Sequence, residues 1–241
     1  MQEKIHGIVL SVVRHSDTKN IITLYTRERG RMSFLSPTGN GKASRMRNAS
    51  LQLLSVIEAD VRIVGSRDLQ LLGKFSNSTV WRDLYFNPVK ISIVIFLSEF
   101  LNSLLRESAP DGNLYEFIVR SLQLLDLSKG KYSNYHLAFL ISLLPLVGIE
   151  PDMTGYGVGG FFDMREGVFR NFPPTHSDYL DPQQSGVIPL LNRMTLANHS
   201  RFRFNVGDRR EILKGLLNYY SIHFPGTDKL KSPAILSDLF S

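Results

Sequence analysis

Apolar positions alternate in short runs over the first third of the chain and recur at helical spacing over the rest. Runs rich in β-branched residues predict strands over 5–14, 20–26 and 31–36. They are joined by the polar turn His15-Ser16-Asp17-Thr18 and by Arg27-Glu28-Arg29-Gly30, where Gly30 suits a positive φ. Residues 37–50, with Pro37, Gly39 and Gly41 and few apolar side chains, read as a long loop. A long strand over 51–64 and a fifth over 69–77 follow. Five short strands predict a small closed barrel of the OB type, with an SH3-like barrel as the structural rival.

The period changes near Trp81. Helices are predicted over 88–107, with Pro88 in the first turn, and from a cap at Asp111 or Asn113 to Leu127. A third covers 133–148, with a bend at Pro145 and an end at Gly148 and Pro151. Residues 151–185 are rich in Gly, Pro and aromatics and contain a small hairpin over 160–170. Helical spacing returns over 186–200, and again from Asp208, read as an N-cap, to His223. The tail after Pro225, with Ile235, Leu236, Leu239 and Phe240, reads as a segment docked on the core. The fold class is α+β: a five-stranded OB-like barrel over 1–80, then an α-helical domain over 81–241.

Charge sharpens this division. Residues 1–80 hold 12 Lys+Arg against 6 Asp+Glu, a net of +6, and residues 81–241 hold 16 of each. A basic β module on a neutral helical body suits a polyanionic partner, most simply nucleic acid. At 241 residues and 43% hydrophobic, the chain has enough apolar material for a substantial core. It has no cysteine, which excludes disulfides, thiolate zinc sites, iron–sulfur clusters and a Cys nucleophile. Neither a signal peptide nor a membrane span is legible, so the expected location is the cytoplasm.

The candidate phosphate contacts are Lys19, Arg27, Arg29, Arg31, Lys42, Arg45 and Arg47, on the turns and the long loop of the barrel. A solvated basic turn is the plain alternative for each. Tyr25 and Phe34 are the candidates for base stacking, with Phe75, His6 and His15 behind them, and core packing competes at every one. Gly155-Tyr156-Gly157-Val158-Gly159-Gly160 follows a helix rather than a strand, so it reads as a connector and not as a dinucleotide loop. His15 with Asp17, and His176 with Asp178 and Asp181, match no rigid metal frame. No nucleophile–base order or carboxylate pair stands out, so no catalytic residue, metal or cofactor is expected.

The succession Gly7-Ile8-Val9-Leu10, Asp17 to Thr26, Arg29-Gly30-Arg31-Met32-Ser33 and Lys42 to Arg47, closed by Leu213 to His223 and Leu230-Lys231-Ser232, resembles the RecO family of bacterial recombination mediators. The resemblance spans the chain in outline and is sharpest over 5–58. It implies a non-enzymatic, nucleoid-associated protein that binds single- and double-stranded DNA and anneals complementary strands. It also implies action with RecR to replace single-strand-binding protein by RecA, with the acidic tail of single-strand-binding protein docking on the helical domain. Arg120, Lys129, Lys131, Arg201 and Arg203 are the basic residues available there. Many members carry a four-cysteine zinc site after the third long helix. Residues 151–172 have no cysteine, so a metal-free version held by aromatic packing is expected. Two rivals stand beside this reading: an RNA-binding OB-fold protein with a helical interaction domain, and an enzyme of unknown type in the helical domain.

Overall fold

The computed structural model describes residues 2–39, 41–157 and 159–239. The chain forms two compact units, one of residues up to 128 together with 230–239, the other of residues 129–229.

The first unit is built on a six-stranded sheet of β1 (Gln2–Ser16), β2 (Lys19–Thr26), β3 (Gly30–Pro37), β4 (Val56–Arg62), β5 (Leu69–Leu71) and β6 (Phe75–Asn77). Its order is β5-β3-β2-β1-β4-β6. The first three strands form the expected antiparallel meander, and β4 returns antiparallel to β1. The expected fifth strand is broken into two. Leu69–Leu71 pairs parallel with β3 at one edge, and Phe75–Asn77 pairs antiparallel with β4 at the other. One short run of chain therefore runs along both edges of the sheet, but β5 and β6 do not pair with each other, so the OB-like barrel has six strands and is left open where a closed five-stranded one was expected. Gly73, between the halves, lies where a Cβ would collide with the Asp60 carbonyl oxygen, so only glycine allows the approach.

The core of the sheet is Ile5, Val9, Ile22, Leu24, Phe34, Leu51, Ile57, Ala59, Val61 and Leu72, all buried. Two expectations for this region are corrected. The strand over 51–64 begins only at Val56, because Leu54 adopts φ 61° and its N–H donates to Val9 O at 2.7 Å, turning the chain into the sheet. The loop over 37–50 contains a helix, α1 (Lys42–Ala49). Its residues are good helix formers, but it has no apolar stripe for periodicity to detect.

Helices α2 (Pro88–Leu104) and α3 (Gly112–Leu127) complete this unit. Asn87 caps α2 with Pro88 in the first turn, and Asp111 caps α3 by accepting from Asn113 N and Leu114 N. A buried ionic clamp joins them. The Asp126 carboxylate accepts the N–H groups of Arg82, Asp83 and Leu84, at 2.7 Å for the last, while the fully buried Lys90 Nζ donates to Asp126 O at 2.7 Å and Ser128 O at 2.9 Å and pairs with Asp83. Burial pushes the Asp126 pKa up, yet the three N–H groups and Lys90 outweigh it and hold the carboxyl below its ordinary value. The tail returns as α8 (Ser232–Leu239), which packs on α2. The Glu99 carboxylate accepts from Lys231 N at 3.0 Å and Ser232 N at 2.8 Å, and Leu236 is buried. The side chains of Ile235 and Leu239, and Phe240 as a whole, lie outside the described residues.

The second unit centres on α4 (Tyr135–Leu143), which is apolar almost all round and packs against α7 (Val206–His223). Tyr220 Oη donates to Leu140 O at 2.7 Å and Tyr219 Oη to Ile149 O at 2.9 Å, so both buried hydroxyls have partners. At Pro145 the helix tightens into a 3-10 turn over Leu144–Val147. Two further expectations change here. The helix over 186–200 shrinks to α6 (Ile188–Leu191), after a short α5 (Pro182–Ser185), and a 3-10 turn at His199–Arg201. Between them the Asn198 side chain accepts from Thr195 N and donates to Arg193 O, offering the backbone a turn in place of helix. Asp208 is not the cap of α7: Asn205 is, and Asp208 completes the capping box from inside.

The aromatic hairpin is β7 (Phe161–Asp163) and β8 (Val168–Arg170), with β9 (Tyr179–Leu180) added on β7. Phe162 packs on Phe169 at 5.1 Å and on Tyr219 at 5.8 Å, and Tyr156 meets Phe169 edge-on at 5.1 Å. A polar centre lies beside these rings. Buried Asp163 accepts from Arg165 N at 3.1 Å and from Arg170 Nε at 2.8 Å, with His176 Nε2 at 3.3 Å. Burial pushes its pKa up, but Arg170, the turn N–H groups and His176 bring it below the ordinary carboxylate value.

Candidate nucleic-acid interface

The basic residues of the barrel divide by position. On the β2–β3 turn each has a partner within the protein. Arg29 makes a two-point pair with Glu3, at 2.5 Å from Nε and 2.9 Å from Nη2. Arg31 donates to Asn102 O at 3.2 Å and to Asn102 Oδ1 at 3.1 Å, and burial, with Arg106 nearby, lowers its pKa. Arg27 faces Glu116 at 3.4 Å and is half exposed. The turn is pressed onto the segment between α2 and α3: Gly30 has φ 65°, and a Cβ there would lie 2.5 Å from Ser108 O.

Arg47 is interior in role. Its guanidinium donates to Ser36 Oγ at 3.2 Å, Leu72 O at 2.9 Å and Gly73 O at 3.0 Å, and lies 4.8 Å over the Phe75 ring. Those partners belong to β3 and to the break in the fifth strand, so Arg47 pins α1 onto the sheet. Burial lowers its pKa. The Arg45 side chain lies outside the described residues.

The stacking candidates are corrected in the same way. Tyr25 and Phe34 are both 0% exposed, so neither ring presents a face to a base. The Tyr25 hydroxyl donates to Asp111 O at 3.4 Å, and burial raises its pKa against the opposing pull of Ser108 and Asp111. Phe75 is covered by Arg47. His6 is held at 2.7 Å by Glu28 and at 3.5 Å by Glu58.

The β1–β2 hairpin is different. β1 pairs with β4 through Ile8 and with β2 out to Ser16, so its last residues run beyond the core. Here both faces of the ribbon meet solvent: Val12 is 37% and Val13 56% exposed, where strand alternation on a core would bury one of them. Register places Arg14 opposite Asn20 and Asn20 opposite Ser36, with Lys19 opposite Ser16 and Pro37. Thr38 N then donates to Thr18 O at 2.7 Å, which ties the approach to α1 against the hairpin end, and Lys42 opens α1 just beyond. Arg14, Lys19 and Lys42 are all exposed. Among the described residues Arg14 pairs with Asp17, at 2.7 Å, with both side chains in open solvent where such a pair is weak. Lys19 and Lys42 have no ion-pair partner among the described residues.

Of the seven basic residues singled out from sequence, the structure therefore places Lys19 and Lys42 at one exposed end of the barrel. It adds Arg14, which sequence reasoning passed over because it lies inside a strand run. The available signal was Val12-Val13-Arg14-His15, where the alternation of the strand stops.

In the second unit, residues 151–172 do not fit a thiolate metal site. They contain no cysteine, and both oxygens of the carboxylate buried there, Asp163, are already engaged. Among the described residues no three His, Cys, Asp or Glu side chains are grouped to hold a metal. No described helix is long and apolar enough to cross a membrane.

Comparison with known proteins places the whole chain in one family. The family model described as Recombination protein O N terminal matches residues 1–76, and that described as Recombination protein O C terminal matches residues 85–233. The chain is 35% identical over 241 residues to the DNA repair protein RecO of Phocaeicola vulgatus and 32% identical over 240 residues to that of Azobacteroides pseudotrichonymphae, in both cases over 100% of either chain. It is 35% identical to that of Porphyromonas gingivalis over 97% of each. With two successive domain models and end-to-end relatives in agreement, the chain belongs to the recombination protein O family, and its role lies in DNA repair and recombination.

Proposed function

We propose that the chain is a non-enzymatic recombination mediator that binds single-stranded DNA, anneals complementary strands and, with RecR, loads RecA onto DNA coated by single-strand-binding protein. Its place of action is the bacterial cytoplasm, at the nucleoid. The observation that carries the DNA-binding part is the exposed end of the barrel, where Arg14 and Lys19 stand on a hairpin that outruns the core and Lys42 opens α1 four residues after Thr38, which is bonded to the hairpin end. Cations so placed can meet successive phosphates at the cost of no more than the solvent-exposed Arg14–Asp17 pair, and they favour affinity over sequence reading. The family membership supports the partners, and the helical parts of the chain provide surface for protein contacts.

The test uses the full chain with two complementary labelled oligonucleotides. Binding to each strand should weaken steeply with salt, and annealing should be faster than without protein. A chain that neither binds single strands at low salt nor speeds annealing would sink this reading. Displacement of the DNA by an equal amount of RNA of the same sequence would redirect it to RNA.

A further inference from the structure

The second unit holds a basic surface that near-neutral composition conceals. Asp and Glu are absent from residues 127–149 and again from 182–207. The first stretch carries Lys129 and Lys131, and the second carries Arg193, Arg201 and Arg203. Buried Asn134 brings the two together: its Nδ2 donates to His199 O at 3.2 Å and to Phe202 O at 2.9 Å. The loop bearing the lysines is thus held against the loop bearing Arg201 and Arg203.

Lys129, Lys131, Arg201 and Arg203 are all exposed, and none has an ion-pair partner among the described residues. Lys131 is held in the left-handed region, at φ 60° and ψ 38°. The acid nearest in sequence to Arg203 is Asp208, whose carboxylate accepts Asn205 N at 2.9 Å in the capping box of α7. Phe202 and Phe204 alternate with the arginines, are half-buried, and stack at 6.2 Å and 29°.

We infer that this surface is a second binding site for single-stranded nucleic acid, separate from the hairpin end of the barrel. Four exposed cations on adjoining loops, without an ion-pair partner among the described residues, raise the local potential, and a polyanion relieves it. A single strand fits better than an acidic peptide because it offers regularly spaced phosphates to the cations and base faces to the Phe202–Phe204 pair. One chain then contacts single strands from two units, which is what bringing two strands together requires. The inference rests on the reading of the chain as a nucleic-acid binder.

The experiment compares the full-length parent with a chain carrying K129Q, K131N, R201Q and R203Q, where Asn is chosen because it tolerates the left-handed backbone. Both are titrated with a labelled oligothymidylate at several salt concentrations, and thermal unfolding by circular dichroism checks the fold. A second variant, R201Q with R203Q, keeps the test decisive if the fourfold change unfolds. If each cation meets one phosphate, the log–log salt slope should fall by about 3 in the fourfold variant and by about 1.4 in the double variant, at roughly 0.7 per phosphate. Annealing should slow in both, with unfolding unchanged. A folded variant with parental slope, affinity and annealing overturns the inference while leaving the proposed function intact. A parent that does not bind overturns both. Parental DNA binding with loss of binding to a glutamate-rich peptide would assign the surface to an acidic protein segment and also overturn it.

Discussion

The two turns of the barrel meander make an instructive pair. At the β1–β2 end Arg14 and Lys19 stand on a ribbon exposed on both faces, with Lys42 close by in the chain path. At the β2–β3 end Arg29 is engaged by Glu3, Arg31 by Asn102 and Arg27 by Glu116. In sequence the second turn is the more basic, and it would be chosen first as a phosphate site. In the fold it is a structural joint, seated on the segment between α2 and α3 through Gly30. A cation is available to a ligand where the chain extends past the core, and it becomes part of the scaffold where another element covers it. For Arg31 desolvation makes the difference, since a covered guanidinium must satisfy its donors within the protein, while Arg27 and Arg29 are held by carboxylates at the surface.

The strongest way to sharpen this comparison is Arg47→Ala. It removes three donated bonds, two of them to the carbonyls of Leu72 and Gly73, and should destabilise the protein by about 3 kcal/mol. Urea unfolding measures the loss, and the salt slope of DNA binding by the folded fraction should stay parental. A slope that falls with no change in stability would place Arg47 on the DNA instead.

The next effect is on binding. Replacing Arg14, Lys19 and Lys42 together by Ala should lower the salt slope for single-stranded DNA by about 2, at roughly 0.7 per phosphate, with the unfolding midpoint unchanged. Parental binding by this variant would remove the hairpin end from the interface. The smallest effect is expected for Arg29→Ala. Its pair with Glu3 lies at the surface, so stability should be indistinguishable from the parent, and DNA binding should be unchanged as well. A clear loss of DNA affinity would mean that the β2–β3 turn opens to meet DNA and that the two ends are not distinct.

The strands and long helices were legible because their patterns are local. The β-branched runs mark β1 to β3, Asn87-Pro88 and Asp111 mark helix starts, and Phe161 to Arg170 marks the hairpin. What escaped was held by contacts distant in sequence. Helix α1 has almost no apolar face and is fastened by Arg47 to residues 25 and 26 positions away. The fifth strand breaks because its halves join opposite edges of the sheet, which no local pattern encodes. The helix expected over 186–200 yields to Asn198, whose amide competes for the same backbone groups.

The candidate site was legible to a smaller degree. Net charge located the basic module, and the order of elements located the family, since both survive without coordinates. Which cations face a ligand depended on burial. Tyr25 and Phe34 are aromatic residues in a basic strand region, and only the packed core shows that they are 0% exposed. The second unit illustrates the same point in reverse: its acids and bases nearly cancel in a sum over residues, while Asn134 gathers Lys129, Lys131, Arg201 and Arg203 into two adjoining acid-free loops.

By itself the sequence determined the α+β class, the barrel-then-helices order, the family and the absence of thiolate chemistry, because period, composition and motif order are carried along the chain. Only the tertiary structure decided which of the basic residues are scaffold and which are surface, how the sheet's two edges are held, and where charge accumulates in the second unit. Those depend on solvent exposure and on pairings across tens of residues, and both exist only once the chain has packed.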